Sequence, residues 1–251
     1  MRTYRLTTPS LACHWPLLWP LLLIMAFPAH AENCKVSAQR TASAPLTGIE
    51  RVEIVAGAGD LHVFGSASAT SVEARARACA SSEEVLAALN IEIERRDKVL
   101  HIETTAPGTS VFKFFGRSPV ALLDLTVTIP AGLPVTLTDT SGDLEVAGVA
   151  ALDLKDDSGD INVHDIAHDV SIDDKSGDLT VTNVKGSVTL RDTSGAMTVK
   201  NVGGSVEVLA DGSGDITVDE IGFDFIVHQH GSGEINFSRV HRTVQIPSRR
   251  P

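Results

Sequence analysis

Counted from a recurring glycine, the hydrophobic residues of the C-terminal half of this chain fall into columns. The glycines stand in Ser-Gly-acid turns, Ser141-Gly142-Asp143, Ser158-Gly159-Asp160, Ser176-Gly177-Asp178, Ser213-Gly214-Asp215 and Ser232-Gly233-Glu234, with Ser194-Gly195-Ala196 as the variant. Two places after the glycine come Leu144, Ile161, Leu179, Met197, Ile216 and Ile235, and four places after it Val146, Val163, Val181, Val199, Val218 and Phe237. Seven places on come Val149, Ile166, Val184, Val202, Ile221 and Val240. Pairs eleven and thirteen places on begin with Val170 and Ile172 and end with Val244 and Ile246. Successive glycines lie 17, 18, 18, 19 and 19 residues apart, and the 17 is explained by Leu152 and Leu154 arriving one place early.

A spacing of two predicts strands, because successive side chains on a strand alternate faces; a helix needs apolar residues three and four apart. A period this short belongs to a unit that buries its apolar face only by stacking on copies of itself. The expected fold is therefore all-β, a parallel β-solenoid of about 18 residues per coil. At about 4.8 Å per coil, six coils make a rod of about 25–30 Å. The β-branched bias of the columns suits a pleated, stacked surface.

The polar positions supply the corners. Three residues before each glycine stand Asp139, Asp156, Asp174, Asp192 and Asp211, with His230 in the last coil. An Asp there accepts a hydrogen bond from the amide two residues ahead, closing an Asx-turn, and the row is expected to be solvated. Six places after the glycine, Gly148, Asp165, Asn183, Asn201, Glu220 and Arg239 mark a second corner, and four of the six are turn-compatible types.

Before residue 140 the pattern is looser. Val52, Ile54, Gly59, Asp60, Leu61 and Val63 repeat the offsets of Val135, Leu137, Gly142, Asp143, Leu144 and Val146, which predicts an earlier or capping coil. Alternating runs near 70–78, 91–104 and 121–129 predict strands continuous with the solenoid, forming an irregular N-terminal β region that caps one end. Ser82-Glu83-Glu84 ahead of Val85, Leu86 and Leu89 predicts one short helix with acids in its first turn. The tail from 247 to 251, with two prolines and two arginines, is expected to blunt the other end. The domain plan is a leader of residues 1–31, a segment of 32–47, and one solenoid domain of 48–246 whose regular coils begin near 135.

The leader has Arg2 and Arg5, an apolar run from Leu17 to Phe27, and Ala29-His30-Ala31 as a small-x-small site, the anatomy of a cleaved export signal. The apolar run is short and proline-interrupted, so no stable transmembrane segment is expected after cleavage. The expected destination is the periplasm, the cell surface or the medium. Removal of two arginines and no acid takes the net charge from −11 to −13, which opposes binding to nucleic acid or an anionic membrane. Two cysteines then remain, Cys34 and Cys79, and an oxidising compartment favours a bridge between them.

Candidate chemistry is sparse. Asp156, Asp157 and Asp160, stacked near Asp173, Asp174 and Asp178, offer the oxygen ligands that Ca²⁺ takes, and a calcium-stabilised binding module is one alternative reading. The glycine-and-aspartate nonapeptide of calcium β-rolls is absent, and the row reads more simply as turns. A polysaccharide-acting β-helix enzyme is the other alternative. It needs two differentiated carboxylates across a sugar, whereas here acids recur in every coil, and both tryptophans stand in the leader. His228 and His230 have the spacing of one strand face, as metal ligands sometimes do, but read as solvent-exposed. No catalytic residue, metal ligand or cofactor is assigned. Phe112, Phe114 and Phe115, between glycine and proline, either pack over an end of the solenoid or form a patch for a partner.

The leader, the phrase Val127-Thr128-Ile129-Pro130 running into Val135-Thr136-Leu137, and the serial Ser-Gly-Asp coils together resemble a bacterial family of unknown-function domains called putative adhesins. The resemblance covers about residues 48–246. It implies a β-helix-like fold in the cell envelope and an adhesin-like role, and it implies no catalytic residues. The expected function is a non-enzymatic envelope or surface protein that binds or scaffolds an envelope protein or glycan.

Overall fold

The computed structural model describes residues 34–106 and 120–247. The segment expected to be an export leader, the tail beyond Pro247 and the expected packing or partner patch of Phe112, Phe114 and Phe115 lie outside the described residues.

Each regular coil contributes one strand to each of two facing sheets. The first sheet runs through Leu144–Ala147, Ile161–Ile166, Leu179–Val184, Met197–Val202, Ile216–Ile221 and Ile235–Val240. The second runs through Val135–Thr138, Leu152–Lys155, Val170–Asp173, Val188–Asp192, Val206–Ser213, Phe225–Val227 and Val244–Gln245. All these neighbours pair in parallel, and the register joins like columns: Ile161 to Leu179, Val163 to Val181, Val170 to Val188. Leu152 pairs with both Val135 and Val170, so the short first spacing is absorbed without loss of register. The columns form the core, from Leu144 at 2% exposure to Phe225 at 0%. The fold is the expected β-solenoid.

The earlier coil exists, but it lies within the stack. Arg51–Val55 and Leu61–Ser66 pair with the first regular coil on one side and, on the other, with Val99–Thr105 and Ala121–Pro130, also in parallel. Sequence order and stacking order therefore differ. The cap is made instead by antiparallel strands, with Val36–Pro45 and Ser71–Ala80 ending the first sheet and Asn90–Arg96 ending the second. The helix Glu83–Ala88 forms as expected, with Ser82 Oγ accepting from the Val85 amide and Val85 and Leu86 buried. Its last carbonyls are met by Arg40, which donates from Nε to Leu89 and from Nη2 to Leu86, both at 2.9 Å. Cys34 and Cys79 are disulfide-bonded with a Cα–Cα distance of 5.4 Å, tying the start of the first strand to Ser71–Ala80.

The last coil departs from expectation. Ile235, Val240 and Val244 are only half-buried, and Phe237 and Ile246 are exposed at 46% and 42%. They occupy the correct columns, since Val218 pairs with Phe237 and the Phe237 ring lies 6.1 Å from that of Phe225. Burial of a column, however, requires a further coil above it, and no described strand covers this one.

The corners explain the glycines. Gly142, Gly159, Gly177, Gly195, Gly214 and Gly233 all have φ between +126° and +155°. A methyl group on any of them would run into the backbone of the coil below. At the second corner all six residues, Glu220 and Arg239 included, are left-handed, with φ from 50° to 70°.

Candidate functional site

Parallel stacking carries each backbone amide past the same point of the coil beneath, so a short polar side chain at a corner can reach it. The acid after the glycine does this. The Asp60 carboxylate accepts from the Asp143 amide at 3.2 Å, Asp143 from Asp160 at 3.3 Å, Asp160 from Asp178 at 3.0 Å, Asp178 from Ala196 at 2.9 Å and Asp215 from Glu234 at 2.8 Å. A second row repeats the device, with Asp169 accepting from the Ser187 amide, Ser187 from Ser205, Ser205 from Asp224 and Asp224 from Thr243. These carboxylates are exposed for the most part, and each gives one oxygen to the next coil. That commitment weakens both the calcium and the sugar-cleaving readings, which need convergent, unengaged carboxylates.

The acids before the glycine behave otherwise. Asp139, Asp156, Asp174, Asp192 and Asp211 are buried, at 0–4% exposure, which corrects the expectation of a solvated row. Asp174 and Asp192 do close Asx-turns, Asp174 Oδ1 accepting from the Lys175 and Ser176 amides and Asp192 Oδ1 from Ser194. The turn that satisfies one oxygen tucks the carboxyl inside the corner. Burial pushes Asp139 up to about 7, with the neighbouring Asp156 charge adding to the effect. Burial, and then Asp174, raises Asp156 to about 6. Asp192 is likewise raised by burial to about 6 against the pull of the Ser194 amide. His230 completes the row. Its side chain is only 11% exposed and its Nδ1 meets Asp211 Oδ2 at 2.5 Å, so the expected solvent-exposed histidine is a largely buried one. His228 is exposed and pairs with Glu207 at 2.6 Å. The two histidines thus serve different partners.

Outside the core, the first sheet presents ordered polar rows. One row runs His62, Glu145, Asn162, Thr180, Thr198, Thr217 and Asn236, each paired in register with the next. Beside it stand His164, Thr182, Lys200, Asp219 and Ser238. The richest point is where His62 Nδ1 meets Glu145 Oε2 at 3.1 Å and His164 Nε2 meets Glu145 Oε1 at 3.3 Å. His164 Nδ1 in turn meets Asp165 Oδ2 at 2.8 Å, and Asn183 and Asn201 extend the chain by donating to Asp165 and Asn183. The Asp165 hydrogen bond holds His164 above its usual range and Asp165 below its own. The geometry suits the recognition of polar groups. Among the described residues, no hydroxyl or thiol is hydrogen-bonded to either histidine, so the nucleophile-and-base pairing of covalent catalysis is not assembled here. Reading the sequence alone missed this network because its histidines are separated by 102 positions, 164 − 62. A signal was present in the alignment of Gly59 with Gly142, since His62 stands three places past the first and Glu145 three places past the second.

Residues 80–246 match the model of the Toastrack DUF4097 family. The chain belongs to this family. Among solved structures, a putative cell adhesion protein from Clostridium sporogenes is 14% identical, with 84% of this chain and 100% of that one covered at a TM-score of 0.44. A putative lipid binding protein from Parabacteroides distasonis is 16% identical over 82% and 96% of the two chains, at 0.40. A putative adhesin from Bacteroides fragilis is 16% identical over 85% and 98%, at 0.36. No curated protein matches the chain. The Toastrack DUF4097 match spans every regular coil, and it identifies no functional residue. No described helix is long and apolar enough to cross a membrane.

Proposed function

We propose that this chain is an exported, non-enzymatic binding module of the cell envelope, cleaved after residue 31 and acting through residues 48–246 as one rigid solenoid. The observation that carries the reading is the division of its polar groups. Corner carboxylates are taken up in holding coil to coil, while the outer face of the first sheet offers Asn, Thr and Ser side chains in register, one set per coil. The uncharged stretch of the row from Asn162 to Asn236, with donors and acceptors at about 4.8 Å intervals, fits an extended polar partner, a glycan or an envelope protein segment. The disulfide of Cys34 and Cys79 supports an oxidising destination.

The test applies purified mature protein to a glycan array and to a polysaccharide-degradation panel. Saturable binding without turnover, weakened by Thr198→Lys or Thr217→Lys on the outer row, is the expected result. Turnover that disappears when one acid is replaced would overturn the proposal. Intact-mass measurement of protein recovered from cells checks the route, with a mature chain starting near Glu32.

A further inference from the structure

The second sheet's Ser-Gly corner holds a line of buried acids that no binding role uses. Parallel register places Asp192 opposite Asp211 and Asp211 opposite His230, and the backbone amides of Asp139, Asp156, Asp174 and Asp211 each donate to the coil above. The five carboxyls therefore stack at one coil spacing, about 4.8 Å. They contain more acceptors than donors. Both oxygens of Asp139 and of Asp156 lack a well-formed hydrogen bond, with only the weak pull of the Thr140 amide on the first and of the Asp157 and Ser158 amides on the second, and Oδ2 of Asp174 and Asp192 and Oδ1 of Asp211 are likewise without one.

The charged groups that face the line do not resolve this. Asp60 and Asp157 face Asp139, Asp157 faces Asp156, and Asp173 faces Asp174, all acids. Lys175 turns outward to Asp157. Among the described residues, the only basic side chain on the line is His230, whose Nδ1 meets Asp211. Five ionised carboxylates inside a core with a single imidazole beside them would repel one another and leave buried oxygens unpaired, both strongly unfavourable. One proton between two neighbouring carboxyls removes a charge and turns two acceptors into a hydrogen bond.

We propose that Asp139, Asp156, Asp174, Asp192 and Asp211, closed by His230, form a shared-proton ladder that clips this corner of adjacent coils together when protonated and loosens it when ionised. The protons come from solvent, one per carboxylate. The direction follows from linkage. A carboxyl with a native value raised above its unfolded one contributes stability fully present below the unfolded value and lost as pH rises through the native value. With Asp156 and Asp192 moved from 3.8 to about 6 and Asp139 to about 7, the loss runs from about pH 4 to about pH 7. For Asp156 or Asp192 alone it amounts to about a hundredfold in the folding equilibrium. The solenoid is thus an acid-stabilised rod, firmer in a mildly acidic setting than in an alkaline one.

Melting curves of the wild type across this range are compared with two double variants. Asp156→Asn with Asp192→Asn keeps the side-chain shape and supplies permanent donors, and Glu92→Gln with Asp153→Asn removes two exposed charges as a control. The ladder variant is expected to melt above the wild type at about pH 8 and to lose much of its pH dependence, while the control keeps the wild-type slope. A wild type whose stability is flat or rises from about pH 5 to 8, or a ladder variant that retains the whole slope, overturns the proposal. Should the ladder variant fail to fold, infrared difference spectra of the wild type decide. A protonated-carboxyl band that disappears only as pH approaches neutrality supports the ladder, and its absence at about pH 5.5 overturns it.

Discussion

Replacing Gly177 with alanine should break the solenoid in its middle. The backbone there has φ +143°, a region open essentially to glycine alone, so an L-residue is strained by about 1–3 kcal/mol before any contact is counted. The new methyl carbon would also lie 2.6 Å from the carbonyl carbon of Gly159 and 3.3 Å from the Asp160 amide nitrogen, against an ordinary contact of about 3.5–4.0 Å. The coils must separate by about 1 Å at this corner. The hydrogen bonds that cross it, Gly159 amide to Ser176 carbonyl at 3.0 Å and Asp178 amide to Asp160 carboxylate at 3.0 Å, would stretch out of range. Strain and lost hydrogen bonds together come to about 3 kcal/mol or more, which for a domain of this size lowers Tm by about 6–12 °C. Gly132→Ala is the matched control, because a methyl there meets nothing within 4 Å. Its Tm should stay within about 2 °C of the wild type. Thermal unfolding followed by circular dichroism measures both. If the two variants melt together, the glycine column is not the close-packed corner described here.

The same geometry sets other outcomes. Val181→Asp places a carboxylate where the side chain is 0% exposed and no partner exists, so a loss of about 4 kcal/mol or more, or failure to fold, is expected in denaturant titration. Glu220→Asn relieves a left-handed residue at φ 64° and continues the Asn183–Asn201 row, and should raise stability by about 0.5–1 kcal/mol. Cys34→Ser opens a loop of sequence separation 45 and should cost about 2–4 kcal/mol, with the wild type losing the same amount under reductant. Millimolar calcium should move Tm no more than equal magnesium does, since the exposed corner acids each give an oxygen to the next coil; a calcium-specific rise of many degrees would reverse that reading.

The columns were legible in the sequence because strand alternation and a repeat impose two strict periods on apolar residues, and nothing else in the chain competes with them. Burial of the Asp139 column was not legible. Aspartate before a Ser-Gly turn has the same residue type whether its carboxyl points to water or into the corner, and only the backbone path decides. One hint was present, the imidazole of His230 standing where every lower regular coil has an acid. Phe237 shows the converse limit, for its column position was correct and its exposure depends on whether another coil lies above it. The shared offset of His62 and Glu145 was legible, but their contact required knowing that Leu61–Ser66 slots between Ala121–Pro130 and Leu144–Ala147, a stacking order that runs against the sequence order. Left-handed Glu220 and Arg239 were hidden because neither type favours that conformation; the repeat imposes it from the coils beneath.

Everything rests on coils stacked in register at a constant rise. Spin labels on Glu145→Cys paired with Thr198→Cys, and on Glu145→Cys paired with Asn236→Cys, measure that rise directly by electron–electron distance spectroscopy on protein that keeps its disulfide. The pairing places these positions three and five coils apart in one outward row, so the backbone separations should be about 14 Å and about 24 Å. Two narrow distributions whose centres differ by about 10 Å are the predicted result. Broad distributions, or centres that do not grow with the number of intervening coils, would contradict the stacked-coil account.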